Sequence, residues 1–219
     1  MTDLTGYRSK IRIVLGDTGS DRYDDAVLDG AVRWALAAYS KALPQVKTCS
    51  INVTAEGREQ SLTALTDLLT VLEVNFPYQA GCQTPAVLQQ WYFYRRDGHG
   101  LLYISGRRSP MAGDVIRLTY TAWHTIAGLG DATVTTIPTA HETLFENGAA
   151  GKAAMMRGIH LVEAYGRKSE EPEKLKTWSE GLLADFLDDL LSLKSWQVLR
   201  GTLTNGWTLD RWDRRQKQG

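Results

Sequence analysis

The 219-residue chain has two cysteines, six prolines and four histidines, and no excess of either charge. Each scarcity excludes something. Cys49 and Cys82 have no metal-type spacing and no ligand-rich surroundings, so they read as buried or half-buried thiols. Lysine plus arginine equals aspartate plus glutamate, 25 each, which removes any overall bias toward nucleic acid or an anionic membrane. That argues against a dedicated DNA binder, though not against a protein that surrounds DNA without gripping it. The start, Met1-Thr2-Asp3-Leu4, lacks the basic residues and apolar run of a secretory signal. No stretch approaches the roughly 18 consecutive apolar residues of a membrane span. The expectation is a soluble protein made in a reducing cytoplasm, with no membrane partner.

What is present is an ordinary globular composition, 43% apolar and 23% charged, at a length that fits one large domain or a smaller one carrying an insertion. The spacing predicts a short helix around Tyr7 to Leu15. A second helix follows, with Ser20 and Asp21 as candidate caps and Asp24 and Asp25 in the first turn, where the helix dipole favours negative charge. Ala31, Val32, Ala35, Leu36 and Tyr39 recur at helical spacing up to Leu43, and Pro44 ends the run.

From about Thr48 to Thr125 the period changes to strands. Ile51 and Val53 alternate with polar neighbours, and Leu68 to Phe76 is an apolar, partly β-branched run. Gln90 to Arg96 and Leu101 to Ser105 flank Asp97-Gly98-His99-Gly100, whose glycines suit a hairpin loop. In Asp114 to Trp123, Ile116, Leu118, Tyr120 and Ala122 alternate against Val115, Arg117, Thr119 and Thr121. These segments predict a small antiparallel sheet or sandwich.

A polar, Gly- and Thr-rich loop over 126–140 ends at Pro138, and Thr139 with Glu142 matches a capping box opening a long helix. That helix is crowded with Gly148, Ala149, Ala150, Gly151, Ala153, Ala154 and Gly158. Each glycine costs about 1 kcal/mol relative to alanine in a helix, so a neighbouring helix or subunit must approach closely to offset the loss. After Pro172, Leu175, Trp178, Leu182, Phe186, Leu190 and Leu193 step by threes and fours along one apolar face, which asks for a helical partner. The stretch from Trp196 breaks both periodicities. It carries three tryptophans, and five basic residues against two acidic ones. With too little apolar mass for its own core, it is expected to order against something else.

The fold class read from these patterns is α+β. Residues 1–46 and 127–195 supply the helices of a bundle, 47–126 an inserted antiparallel β-domain, and 196–219 an extended tail.

Three short motifs imitate catalytic ones. Asp17-Thr18-Gly19-Ser20 matches the nucleophile turn of aspartic proteases, but that chemistry needs two carboxylates sharing a proton, and only one such tetrapeptide exists. His141-Glu142 opens like a zinc-protease helix, yet the position of the second histidine holds Phe145. Asn147-Gly148-Ala149-Ala150-Gly151-Lys152 resembles a phosphate loop, but Ala153 stands where Ser or Thr is required and Glu146 where the first glycine belongs. His99, His124, His141 and His160 are dispersed, and no serine lies in a Gly-x-Ser-x-Gly turn. The sequence therefore predicts no catalytic residue, no metal and no cofactor. An aspartic-type or metal hydrolase is the disfavoured alternative.

Three segments, in this order and spacing, resemble the head-to-tail adaptor (connector) proteins of tailed bacteriophages. They are Leu28-Asp29-Gly30-Ala31-Val32-Arg33-Trp34-Ala35-Leu36 with Tyr39-Ser40 and Pro44; Pro110 to Tyr120 continuing through Ala122-Trp123-His124-Thr125-Ile126 to Gly128-Leu129; and His141-Glu142 with Gly148 to Gly151, Glu163-Ala164-Tyr165-Gly166 and the final amphipathic helix. The likeness spans roughly residues 22–195. It implies a virion protein of the neck: a ring, usually of twelve copies, below the portal, which extends the DNA channel and offers a surface to tail, stopper or nozzle proteins during genome ejection. DNA would pass without sequence-specific binding. The resemblance implies a portal-docking tail, for which Trp207, Arg211, Trp212, Arg214 and Arg215 are the candidates, being the residue types that concentrate interface energy. Gly148, Ala149, Gly151, Ala154, Gly158, Trp178, Leu182 and Phe186 are the candidates for helix packing or oligomer contacts. Alternatives are another neck component, such as a tail-completion or stopper protein, and a packaging-associated DNA-binding protein.

Overall fold

The computed structural model describes residues 2–79, 90–105, 108–165 and 170–199, with side chains left aside at 162–165, 170–171 and 197–199. It falls into a helical unit, Met1–Gln45 with Trp123–Leu199, and a β-unit, Val46–Ala122. The class is mixed α+β, as the sequence patterns predict.

The helical unit holds α1 (Leu4–Val14), α2 (Asp25–Ala42), α3 (Glu142–Tyr165) and α4 (Glu170–Leu199). Asp3 caps α1 by accepting the Gly6 N–H. Asp24 occupies the cap position of α2 but makes no side-chain cap bond. The first turns of α2 are instead tied to α1. The Arg8 guanidinium grips both oxygens of Asp29 at 2.8 and 2.7 Å, a bidentate geometry, and also reaches Asp25. Tyr7 and Ile11 of α1, Leu28, Ala31, Val32, Ala35 and Tyr39 of α2, Phe145, Ala149 and Ala153 of α3, and Phe186 and Leu190 of α4 form one core. Their three- and four-residue spacing is what turns each helix inward.

Two expectations need correction here. A capping box does not open α3: a 3-10 turn at Thr139–His141 precedes it, and the Glu142 carboxylate is taken by Lys10 at 2.7 Å and Thr2 at 3.0 Å. A charged partner on α1 outcompetes the local backbone donor. The final helix also runs through Leu199 and does not give way to a tail at Trp196.

The β-unit contains β1 (Gln45–Asn52), β2 (Glu59–Ser61), β3 (Leu68–Asn75), β4 (Gln90–Arg96), β5 (His99–Ser105) and β6 (Val115–Ala122). They form two three-stranded sheets, ordered β1-β6-β3 and β2-β5-β4. Ile116, Leu118, Leu102, Ile104, Val71 and Phe76 are among the side chains of its own separate core. The β4–β5 hairpin is tighter than the predicted four-residue loop. Arg96 pairs with His99, so only Asp97 and Gly98 turn, both at positive φ (51° and 81°), the conformation a two-residue hairpin needs. Gly100 lies inside β5, where a Cβ would sit 3.1 Å from Leu68 Cδ2 and 3.2 Å from Phe93. Close approach, not turning, requires that glycine.

Candidate functional site

The surfaces and side chains the sequence singles out lie mainly on α3 and α4. Gly148 faces the Phe186 ring so closely that a Cβ there would stand 2.6 Å from it. At Gly151 a Cβ would meet Leu182 Cβ at 3.0 Å and the Ser179 carbonyl at 3.3 Å. Further along, at Gly158, the nearest atom, Leu175 Cδ2, is 3.9 Å away. The two helices thus press together hardest at Gly148 and Gly151 and separate toward Gly158. Ala149, Ala150, Ala153 and Ala154 are fully buried. Phe186 is wedged between Gly148 and the Trp34 indole, whose ring centre lies 6.0 Å away. Lys152 stands over that indole at 5.3 Å, a cation–π contact.

Trp178 does not join this seam. It is 41% exposed and lines a shallow hollow with Val14, Tyr23, Arg157 and Leu175. Nor is α4 apolar on one face alone. Phe186 and Leu190 are buried, while Leu187 and Leu191 project beside them into a groove against α2. The signal for this was in the sequence: Leu183, Leu187 and Leu191 form an i, i+4 series offset from the core stripe.

The residues that imitate catalytic motifs hold the helices in place. Asp17 is buried, and its carboxylate accepts the N–H groups of Asp21, Arg22 and Tyr23 and the Arg12 guanidinium at 2.9 Å. Burial opposes its ionisation, but the backbone donors and Arg12 outweigh that and hold its carboxyl below the ordinary value. A carboxylate so fully occupied has nothing left to offer a substrate. Arg12 also reaches Asp25, linking the loop to α2.

His141 Nδ1 lies 2.6 Å from the buried Tyr39 hydroxyl. Burial lowers the imidazole's pKa and raises that of the phenol to about 12, so a neutral ring accepts the phenolic proton's hydrogen bond. Glu142 shares Lys10 with Glu146, and that ammonium, first, holds the Glu142 carboxyl low. His124 Nε2 donates to the Leu43 carbonyl at 2.9 Å, and the Ser40 hydroxyl accepts the His124 N–H at 3.0 Å. These bonds join the point where the chain leaves α2 to the point where it returns after β6. Asn147 to Lys152 lies wholly within α3, where helical hydrogen bonds occupy the backbone donors that a phosphate loop would present.

Cys49 is a half-buried free thiol whose pKa burial raises. Among the described residues, no group of three or more His, Cys, Asp or Glu side chains is placed to hold a metal ion. No described helix is long and apolar enough to cross a membrane. Cys82, Trp207, Arg211, Trp212, Arg214 and Arg215 lie outside the described residues.

Comparison with known proteins gives little. No protein-family model matches the chain, and no curated protein matches it either. Among solved structures, a chain described as "Neck of empty GTA particle computed with C6 symmetry" is similar over 67% of this chain and 74% of its own, at 20% identity and a TM-score of 0.32.

Proposed function

We propose that this protein is a structural subunit of a tailed-phage particle, a head-to-tail adaptor that assembles as a ring beneath the portal and receives tail or stopper proteins on its far side. The observation that carries the reading is the α3–α4 pair: a glycine-bearing helix pressed to contact at Gly148 and Gly151 against a long partner that still leaves Leu187 and Leu191 uncovered. Such a helix pair is a rigid post with apolar surface to spare. It occurs in a chain whose segments resemble those of the adaptor family in order and spacing.

In this reading α1 to α4 form the assembly body, and the β-unit is an attachment surface for a neighbouring component. The balanced overall charge lets DNA pass without a strong phosphate grip that would stall it. The segment carrying Trp207, Arg211, Trp212, Arg214 and Arg215 docks on the portal, aromatic and arginine side chains supplying the anchors. No catalysis is assigned to the chain.

The test has two parts. A virus lacking this protein is expected to accumulate filled or leaking heads without tails; tailed, infectious particles made in its absence overturn the adaptor role. Deleting residues 203–219 is expected to abolish co-sedimentation with portal rings, and unchanged binding removes the docking role from that segment.

A further inference from the structure

Two apolar patches on the helical unit are bordered by charges that differ in their predominant sign. The first is the groove between α2 and α4, about 520 Å³, floored by Trp34, Ala38, Ala42, Leu187 and Leu191 and bordered by Lys41 and Lys194. Leu187 is 45% exposed and Leu191 61%. Neither lysine has an ion-pair partner among the described residues. Two exposed ammonium groups beside an uncovered leucine stripe give the groove a positive border.

The second patch lies where α3 meets the first turns of α4. Met155 (37% exposed) and Ile159 (54% exposed) border a hollow of about 320 Å³ with Gly158 and Pro172. Its charged residues are Glu173, Glu180 and Lys176. Lys176 lies 4.0 Å from Glu180, and Glu173 adds a second carboxylate, so acidic groups outnumber basic ones among the described lining residues. Single exposed apolar side chains are common on any protein. Here one cluster is bordered by two lysines and the other by two carboxylates and one lysine, so the charges at their edges are complementary.

We infer that the α2–α4 groove is the docking site for the Met155–Ile159 patch of a second copy of this chain. The inference rests on the reading above that copies of the protein assemble, and it names the two surfaces that meet. Leu187 and Leu191 lose water against Met155 and Ile159, while Lys41 and Lys194 approach the Glu173 and Glu180 side. Apolar burial supplies the affinity, and the charges fix which patch meets which. A contact between two different patches, repeated from copy to copy, generates a ring when the rotation between neighbours closes, and an open filament when it does not.

The test uses the full chain and charge reversal, read by sedimentation over a concentration series, with circular dichroism to confirm folding. The wild type is expected to self-associate. Lys41→Glu with Lys194→Glu reverses the groove, and Glu173→Lys with Glu180→Lys reverses the patch. Each double variant alone is expected to associate about tenfold more weakly, since it replaces attraction by repulsion at two positions. Mixing the two restores association, because every groove then finds a patch of opposite sign. Leu191→Glu, at a side chain already mostly in water, abolishes association without lowering thermal stability.

A wild type that stays monomeric throughout, reversals without effect, or a mixture that fails to recover each overturns the inference. The last result leaves the groove in a contact between copies but removes the Met155–Ile159 patch as its occupant, whereas reversals without effect assign the groove to a foreign partner. Protein that self-associates in this way but is missing from purified particles sinks the adaptor reading alone. Protein that enters particles while its reversals leave self-association untouched sinks this inference alone.

Discussion

Asp17 is an acceptor with three backbone N–H groups and a guanidinium converging on it, in the loop that joins α1 to α2. Removing its charge strands those donors and leaves Arg12 half-paired in a largely buried position. Asp17→Ala is therefore expected to destabilise the protein by about 3 kcal/mol at neutral pH, measured by urea denaturation. Because the folded carboxyl titrates below the unfolded one, its contribution is complete above the ordinary aspartate value, about 4, and fades as pH falls through the folded value. The stability gap between the wild type and Asp17→Asn should thus shrink in acid; a gap that holds constant down to pH ~3 would show that the charge is not what matters. Loss of stability without loss of any hydrolytic activity is the outcome expected of a residue that only resembles a protease nucleophile.

At the scale of elements, the glycines of α3 are not equivalent. Gly148→Ala gains about 1 kcal/mol of helix propensity but drives a methyl to 2.6 Å from the buried Phe186 ring, and overpacking of that kind costs about 1–3 kcal/mol. A net fall in melting temperature is expected. Gly158→Ala meets nothing closer than 3.9 Å and is expected to raise it, by up to about 1 kcal/mol of stability. Opposite signs from the same substitution in one helix would locate the contact; equal signs would mean the seam is not where the distances place it. The strands carry a similar lesson. In β3, register shifts between Leu68 and Thr70 and between Val71 and Glu73 move the buried residues to Leu68, Val71 and Val74. That spacing of three hides the alternation a regular strand would show, so the segment reads only as an apolar run. The three-residue β2 offers no period at all.

For the molecule as a whole, the β-unit is an insertion between two points held together. His124 bonds both Ser40 and the Leu43 carbonyl, so the chain departs and returns at one place. Each unit also has its own core. Replacing Val46–Ala122 by a short Gly/Ser linker is accordingly expected to leave the helical unit folded, with helical circular dichroism and a cooperative thermal transition. A molten product would show that the helices depend on the sheets.

The class of the protein and the place of its long elements are legible in the order of its residues. Helical spacing over Ala31 to Tyr39 and Leu175 to Leu193, Pro44 as a stop, and alternation over Asp114 to Trp123 are local properties, written in consecutive residues. The tertiary structure alone decided which charges found which partners: Glu142 goes to Lys10 and not to its own backbone, and Asp17 to a ring of amides. It also decided which leucines of α4 are covered. Six leucines lie between positions 182 and 193, more than one buried stripe can take, and only packing against α2 and α3 settles that Leu190 goes inside while Leu187 and Leu191 stay in water. Periodicity is set along the chain; partnership is set across it, by elements far apart in sequence.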